Sequence, residues 1–170
     1  HSDPFDVSAG FSIPDLADRE GIGHLVLWTD IKFYDSFPTS QMNRVYNLFD
    51  VFFLLTSGEG FGVPFIEAMS CGVPNIATDY TTTKELITDT DSGLAVKPVG
   101  DVDRPYPAEE NREGVLVGTM LVDRCAASVQ DACEKLCQLY DDIDLRRKFG
   151  VNGRRAAIEQ FDWKSIVFPA

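Results

Sequence analysis

The chain has 170 residues, of which 27 are acidic and 15 basic, giving a formal net charge of -12. A hydrophobic share of 44% and a charged share of 25% are typical of a globular domain and argue against intrinsic disorder. The acidic balance argues against non-specific binding to nucleic acid or docking on an anionic membrane, since both require clustered Lys and Arg. No apolar run approaches the roughly 20 residues that span a bilayer. The length predicts a single domain over residues 1–170.

The start of the chain carries prolines and glycines rather than a periodic pattern. Residues 1–23 include Pro4, Gly10 and Gly21 and show no firm helix or strand. The chain also begins at His1 instead of Met. We therefore expect it to enter in mid-domain, either as a processed chain or as a piece of a longer protein.

Strands and helices are predicted to alternate from residue 24 onward. The apolar run "HLVLW" predicts a strand at 24–28. Thr39 or Ser40 would then N-cap a short helix at 41–48. The run "VFFLLT" at 51–56 lacks polar alternation, as expected of a strand that is covered on both faces.

The next elements keep the same alternation and are joined by short links. They are helices at 64–70 and 83–87 and strands at 75–78 and 93–97. Units of this strand–helix–strand kind predict an α/β fold with a Rossmann-like, doubly wound parallel sheet.

The last third of the chain divides into an exposed region and a helical C-terminus. Residues 98–123 are rich in Pro and charge before the apolar run "GVLVGTMLV", and we expect an inserted loop or hairpin there. Helical spacing of apolar residues follows at 124–140, 142–149 and 151–160, and Gly150 is expected to separate the last two helices.

The C-terminal segment carries four large apolar side chains, at Phe161, Trp163, Ile166 and Phe168. These side chains either cover another surface or pack on their own domain, and both alternatives stay open at this point.

The cysteines and histidines are not spaced as metal ligands. No Cys-x-x-Cys pair occurs, and the two histidines are His1 and His24. Cys133 and Cys137 lie four residues apart on a predicted helix, where we expect buried apolar thiols rather than a redox pair. This cysteine usage predicts a reducing, cytoplasmic compartment.

The segment "SGEGFGVPFIEAMSCG" at 57–72 carries the most chemical information. It follows a predicted strand, and its Gly58, Gly60 and Gly62 allow positive φ and close approach of a ligand to the backbone. The helix that starts near Val63 presents unpaired N–H groups and a positive dipole end. In an open parallel sheet this place is the crevice at the carboxyl ends of the strands, where a diphosphate is the natural ligand.

Two carboxylates accompany this anion site. Glu59 lies in the glycine turn and Glu67 lies eight residues later, in the helix. Carboxylates repel phosphate but accept hydrogen bonds from vicinal sugar hydroxyls, so the combination indicates a nucleotide-sugar site. The structural alternative is that both are ordinary surface acids of a turn and a helix.

The string "EGFGVPFIEAMSCGVPNIATDYTTTKELI" resembles the donor-binding signature of retaining GT-B glycosyltransferases of the glycosyltransferase family 4 type. That signature is Glu, seven residues, Glu, then Ala-Met-x-x-Gly-x-Pro. Glu59 and Glu67 keep the spacing, and Ala68, Met69, Gly72 and Pro74 fall in place. The resemblance extends over about 140 of the 170 residues, through "MNRVYNLFDVFFLLTS" upstream and "SGLAVKP" and "FGVNGRRAAIEQFDWKSIV" downstream.

The resemblance implies a role for each matching residue. Glu67 would hold the ribose 2′- and 3′-hydroxyls, and Glu59, as the catalytic-site acid, would face the transferred sugar, either binding its hydroxyls or acting as a covalent nucleophile. The backbone N–H groups of Gly60, Phe61, Gly62 and Val63 would contact the sugar and the diphosphate. Thr29 and Ile31, after the predicted strand at 24–28, would line the base.

The resemblance also implies a retaining hexosyltransferase that uses a nucleoside-diphosphate sugar as donor substrate and needs no cofactor. The acceptor-binding N-terminal domain and the Arg–Lys diphosphate clamp of the family have no counterpart here, so the isolated chain would be inactive. Lys32 and Lys84 are the available cations, but no motif directs either to the phosphates. Alternatives are a stand-alone nucleotide-sugar-binding or regulatory module and another GT-B-like enzyme such as an epimerase or a phosphorylase.

Two Asp-x-Asp pairs, at 89–91 and 101–103, match the metal-binding motif of the GT-A enzymes. Both lie in loops flanked by Gly or Pro instead of at the end of an apolar strand, and such pairs arise by chance in an acidic chain. We therefore predict no metal site.

Overall fold

The fold was analysed in a computed structural model. The structure describes residues 12–27, 38–101, 104–105, 109–110, 116–117, 121–122, 124–162 and 164. The chain forms two compact units, residues 1–42 and residues 43–170.

The first unit contains a helix that the sequence did not predict. Helix α1 spans Ile13–Arg19, within the stretch for which no element was expected. Ser12 is its N-cap, and the Ser12 hydroxyl accepts a hydrogen bond of 3.2 Å from the Asp15 N–H. Pro14 lies in the first turn, where a missing N–H costs nothing, so the proline that suggested a loop favours a helix start.

The strand predicted at 24–28 is wrong over its described part. Gly23–Leu25 is a 3₁₀ turn, closed by a hydrogen bond of 2.8 Å from the Leu25 N–H to the Ile22 carbonyl. The Leu27 side chain is 95% exposed. No described strand pairs with this run, and an apolar run without a ladder partner has no reason to stay extended.

The boundary between the two units falls within helix α2, which spans Thr39–Tyr46. The helix starts two residues earlier than predicted, so Thr39 and Ser40 lie inside its first turn and are not its caps.

The described part of the second unit is built on a three-stranded parallel sheet, and the parallel pairing of these strands agrees with the prediction. Its strands β1 (Phe52–Leu54), β2 (Asn75–Thr78) and β3 (Gly93–Val96) lie in the order β1-β2-β3. Strand β2 is buried on both faces because it lies in the centre. Phe53 of the edge strand β1 is 43% exposed, which corrects the expectation that this strand is covered on both faces.

Helices cover both faces of this sheet, which confirms the α/β prediction. Helix α3 (Val63–Ser70) connects β1 to β2, and a π-helical turn (Lys84–Thr88) connects β2 to β3. Ala77 of β2 packs against side chains from both connections: Phe65, Leu86 and Ile87.

The opposite face of the sheet is covered by the two C-terminal helices, α4 (Val129–Asp141) and α5 (Ile143–Gln160). The cluster on this face consists of Ile76, Val96, Ala132, Leu139 and Phe149. Each large apolar side chain buried in this way stabilises the fold by roughly 1.5–3 kcal/mol, so the two clusters together hold the sheet between its helices.

Helix α4 begins later than predicted because a strand and a cap precede it. Cys125–Ala127 form strand β9. The Ser128 hydroxyl then accepts a hydrogen bond from the Asp131 N–H and starts the helix at Val129. Asp131 also accepts a hydrogen bond of 2.7 Å from the Lys97 N–H, which, with the nearby Lys135 ammonium, lowers the pKa of this carboxyl below its ordinary value of 3.8.

Helix α5 runs without a break through the position where a boundary was predicted. Gly150 is buried in its middle, and a Cβ atom built there would lie 2.2 Å from the carbonyl oxygen of Gly72. Gly150 therefore allows α5 to approach the end of α3 closely and does not end a helix. Helix α3 itself ends as predicted, since Gly72 adopts φ +73° and its N–H donates to the Met69 carbonyl at 2.9 Å.

The region after β3 contains three nested antiparallel ladders. Strand β4 (Pro98–Asp101) pairs with β9, β5 (Arg104–Pro105) with β8 (Leu121–Val122), and β6 (Glu109–Glu110) with β7 (Leu116–Val117). This is the pairing pattern of a long hairpin, one of the two alternatives raised for residues 98–123.

Side-chain exposure corrects one prediction for the cysteines. Cys133 and Cys137 on α4 are both exposed, whereas Cys125 is buried. Helical spacing predicted two buried thiols, but the buried stripe of α4 includes Ala132 and Leu139 instead.

Of the four apolar side chains of the C-terminal segment, Phe161 packs on its own unit, against the clusters that contain Ala77 and Met69. The other three, Trp163, Ile166 and Phe168, lie outside the described residues. None of the described helices has the length and apolar character required to cross a membrane.

Candidate functional site

The glycine turn after β1 leads directly into the N-terminus of α3. Gly62 is the N-cap of the helix and adopts φ +83° and ψ 40°, a left-handed conformation. Pro64 occupies the first turn of the helix, as the sequence predicted. Gly60 does not adopt positive φ, so of the two glycines that flank Phe61 only Gly62 requires the conformational freedom of glycine.

Gly62 is also fixed by its neighbours. It is buried, and a Cβ atom at this position would lie 2.8 Å from both Leu86 Cδ1 and Phe65 Cδ2. The backbone of the turn is therefore pressed against the helix and the π-helical turn, which holds the start of α3 in one place.

The start of α3 has donors available for a ligand. Its N-cap is a glycine, so no side chain caps the first N–H groups. Phe61 and Val63, on either side of Gly62, are 51% and 52% exposed. An accessible helix N-terminus of this kind favours an anion, since N–H groups and the helix dipole both attract negative charge.

Glu59 lies in the turn and is held by the loop that follows β2. The Glu59 N–H donates a hydrogen bond of 3.0 Å to the Thr81 hydroxyl, 22 residues away. Thr81 adopts φ +53°, which is rare for a β-branched residue. The two loops at the carboxyl ends of β1 and β2 therefore meet, as expected for a ligand crevice in a parallel sheet.

Glu67 lies in the second turn of α3 and contacts a tyrosine from α2. The Tyr46 hydroxyl donates a hydrogen bond of 2.8 Å to Glu67 Oε2. Tyr46 is only 5% exposed, and burial is the main reason that its pKa lies well above the usual range, with the Glu67 carboxylate adding to the effect. At neutral pH the hydroxyl is therefore protonated and donates to Glu67.

Some of the predicted residues lie outside this geometry. Thr29, Ile31 and Lys32 are not among the described residues. Lys84 donates to both carboxylate oxygens of Asp89, at 2.6 and 2.7 Å, in an exposed ion pair.

The acidic pair at 89–91 is neutralised by lysines. Asp91 forms an ion pair of 2.7 Å with Lys148, and Asp89 is paired with Lys84. Within the described residues, no three His, Cys, Asp or Glu side chains form a group that would hold a metal ion.

Two residues of the site, Tyr46 and Thr81, were not predicted from the sequence. Both belong to strings that carry the family resemblance, but neither is part of the glutamate–glycine signature. Val45, Leu48 and Phe49 near Tyr46 gave the available signal, because a tyrosine that packs among apolar side chains is expected to have its hydroxyl bonded.

A family model decides what kind of domain this is. The model for the glycosyl transferases group 1 matches residues 19–105, which is just over half of the chain and includes the whole glycine turn and α3. The chain belongs to the glycosyl transferases group 1 family. This confirms the family resemblance drawn from the sequence.

Curated relatives of this glycosyltransferase domain are much longer than the chain. It is 27% identical to alpha-maltose-1-phosphate synthase of Mycolicibacterium smegmatis over 76% of the chain and 28% of that protein. It is 30% identical to N-acetyl-alpha-D-glucosaminyl L-malate synthase of Bacillus anthracis over 69% of the chain and 24% of that protein. The chain therefore spans about a quarter of the length of these relatives.

Solved structures show the same fold. The C-terminal domain of a glycosyl transferase group 1 family protein from Francisella tularensis matches 94% of the chain and 65% of that chain, with a TM-score of 0.64 and 20% identity. Sucrose-phosphate synthase from Thermosynechococcus elongatus matches 91% of the chain and 30% of that chain, with a TM-score of 0.67 and 19% identity. The domain thus has the α/β fold of the GT-B glycosyltransferases.

Proposed function

We propose that this domain is the donor-binding half of a retaining glycosyltransferase that transfers a sugar from a nucleoside-diphosphate donor. The observation that carries the proposal is one accessible helix N-terminus, with Glu59 in the turn before it and Glu67 in the second turn of the helix. Helix N–H groups suit a diphosphate, and carboxylates suit the hydroxyls of the sugar and ribose on either side of it.

Each residue has a separate task in this proposal. Glu67 accepts hydrogen bonds from the ribose 2′- and 3′-hydroxyls, and Glu59 binds the hydroxyls of the transferred sugar. The N–H groups of Gly60, Phe61, Gly62 and Val63 contact the sugar and stabilise the negative charge that develops on the leaving diphosphate. The bond from the sugar to the nucleoside diphosphate breaks and the bond to the acceptor hydroxyl forms on the same face of the sugar ring, which retains the anomeric configuration. The leaving diphosphate takes up the proton of the acceptor hydroxyl.

We also propose that an acceptor-binding domain completes the enzyme, and that the isolated chain binds donor without transferring sugar. The length of the curated relatives supports this, since the chain spans about a quarter of them. The segment 55–70, which contains the turn and α3, holds no Lys or Arg, so a cationic clamp for the diphosphate has to come from elsewhere. No cofactor is part of this proposal.

Calorimetric titration with UDP, GDP and ADP, alone and as their glucose conjugates, tests the assignment of the two glutamates. We expect Glu67→Gln to weaken both nucleotide and nucleotide sugar by about 1.5–3 kcal/mol, because it loses charged hydrogen bonds to ribose. Glu59→Gln should weaken the nucleotide sugar alone. Glu159→Gln, an exposed glutamate at the end of α5, is the matched control.

The assignment of each glutamate depends on how its variant changes the affinity for nucleotide relative to the affinity for nucleotide sugar. Equal losses for nucleotide and nucleotide sugar in Glu59→Gln would remove this glutamate from the sugar subsite. Absence of binding to the wild-type chain at millimolar nucleotide would overturn the proposed donor site.

A further inference from the structure

The buried hydroxyl of Tyr46 is not explained by packing alone. Its ring lies in an aromatic cluster, 5.9 Å from Phe49 in an edge-to-face arrangement and 5.6 Å from Phe52. Phe52 in turn contacts Phe65 of α3 edge-to-face at 5.9 Å. A phenylalanine would fill this cluster equally well, so the oxygen atom needs a different reason.

The position of the hydroxyl supplies that reason. It contacts Oε2 of Glu67 at 2.8 Å, and the aromatic cluster leaves the Tyr46 ring no freedom to swing away, since the residue is 5% exposed. Among the described residues no donor reaches the second oxygen, Oε1. One oxygen of the carboxylate is thus anchored inside the protein, while the other has no donor from the described part of the chain.

We propose that Tyr46 is a positioning residue that aims the Glu67 carboxylate at the ribose hydroxyls of the donor. This inference rests on the proposed function, because it requires Glu67 to bind ribose. A glutamate has three rotatable side-chain bonds, and a carboxylate held by one buried donor loses little further freedom when ribose binds. Tyr46 touches no ligand itself and acts only through Glu67.

The contact also has a consequence for specificity. A carboxylate has no hydrogen to donate, and donation by Tyr46 occupies one lone pair of Oε2, so Glu67 accepts hydrogen bonds from the ligand with its other lone pairs. The site should then bind a ribose nucleotide more tightly than a deoxyribose nucleotide. The ratio of the two affinities measures how well the Glu67 carboxylate is oriented toward the ribose hydroxyls.

The test compares UDP, GDP and ADP with their 2′,3′-dideoxy forms by calorimetry on the 170-residue chain and on Tyr46→Phe. We expect the preference for the ribose form of whichever nucleotide binds best to fall about fivefold in Tyr46→Phe, with the dideoxy form bound as by wild type. In the Glu67→Gln background, Tyr46→Phe should have no further effect on the preference. Tyr140→Phe, an 83% exposed tyrosine on α4, is the matched control.

The outcomes separate this inference from the proposed function. If Glu67→Gln removes the ribose preference and Tyr46→Phe does not change it, Tyr46 is structural and the positioning role is overturned, while the donor site stands. A lower unfolding temperature in Tyr46→Phe with an unchanged ribose preference leads to the same conclusion. If the wild-type protein binds none of the nucleotides, both the proposed donor site and the proposed role of Tyr46 are wrong.

Discussion

At several single positions of this domain, the backbone conformation and the contacts explain which residue type is present. Gly62 has to be glycine for two independent reasons, a left-handed backbone at φ +83° and two carbon atoms, Leu86 Cδ1 and Phe65 Cδ2, at 2.8 Å from any Cβ. Tyr46 combines an apolar ring with a hydroxyl that reaches a carboxylate. Thr81 accepts the unfavourable φ of +53° while its hydroxyl holds the Glu59 N–H. Backbone strain of this kind is typical of sites that hold a ligand in one fixed geometry.

Gly62→Ala should lower the free energy of unfolding by about 2–4 kcal/mol, because it adds the cost of a left-handed alanine to a steric clash. Chemical denaturation of the chain measures this loss. Gly60→Ala is the control, since Gly60 has no positive φ and nothing within 4 Å of its Cβ position. Equal stability of the two variants would show that the turn is not pressed against Phe65 and Leu86.

Close contacts between helices, and not only the helix propensity of their residues, determine how the helices of the second unit are placed. Helix α5 contacts α3 through Met69, Ala156 and Ala157 and through the approach of Gly150 to Gly72. Small residues at such crossings allow two backbones to come near each other. The C-terminal end of α3, opposite the end where the candidate site lies, is thereby held by the C-terminal helix.

Gly150→Ala distinguishes this packing role from ordinary helix propensity. Propensity alone predicts that alanine in the middle of a helix stabilises by about 1 kcal/mol. The Cβ at 2.2 Å from the Gly72 carbonyl oxygen predicts a loss of about 2–4 kcal/mol instead, because a backbone atom cannot move aside cheaply. Thermal and urea unfolding give the sign directly.

Val151→Ala is the matched control for this substitution, since Val151 is the next residue of α5 and 69% exposed. It should change the unfolding free energy by less than about 0.5 kcal/mol. A stabilised Gly150→Ala variant would contradict the close approach of the two helices.

At the scale of the whole molecule, the second unit is a parallel sheet between two layers of helices, and burial differs sharply between its layers. Strand β2 is covered on both faces. Helix α4 covers the sheet through Ala132 and Leu139 but leaves Val129, Leu136 and Tyr140 exposed on its other side. Chemical accessibility of side chains therefore reports directly on how the layers are assembled.

The cysteines provide such a measurement. Cys133 and Cys137 should react with a disulfide reagent in the native chain at the rate of exposed thiols, and Cys125 only after unfolding, because its side chain is 2% exposed. A Cys133→Ser/Cys137→Ser double variant should lose the fast phase. A fast phase of unchanged size in that variant would contradict the orientation of α4 on the sheet.

Much of the fold follows from local patterns in the sequence. The β1–α3–β2 order, the ends of α3 and the parallel sheet were predicted from apolar runs, one proline and the glycines that flank them. The predictions from the sequence were wrong where one sequence pattern is compatible with two different structures. Gly150 marks a helix break in one context and a close helix contact in another, and the apolar run at 24–28 resembles a strand but has no partner in the described structure.

By itself, the sequence determined the family, the α/β class and the spacing of two glutamates, one in a glycine turn and one in the helix that follows it. These depend on residue types at short spacing, which the chain keeps however it folds. The tertiary structure decided that Tyr46 anchors Glu67, that Thr81 holds Glu59 and that Gly150 meets Gly72. The partners in these three contacts lie 21 residues or more apart, and their meeting depends on how the sheet stacks its helices and loops, which no local pattern encodes.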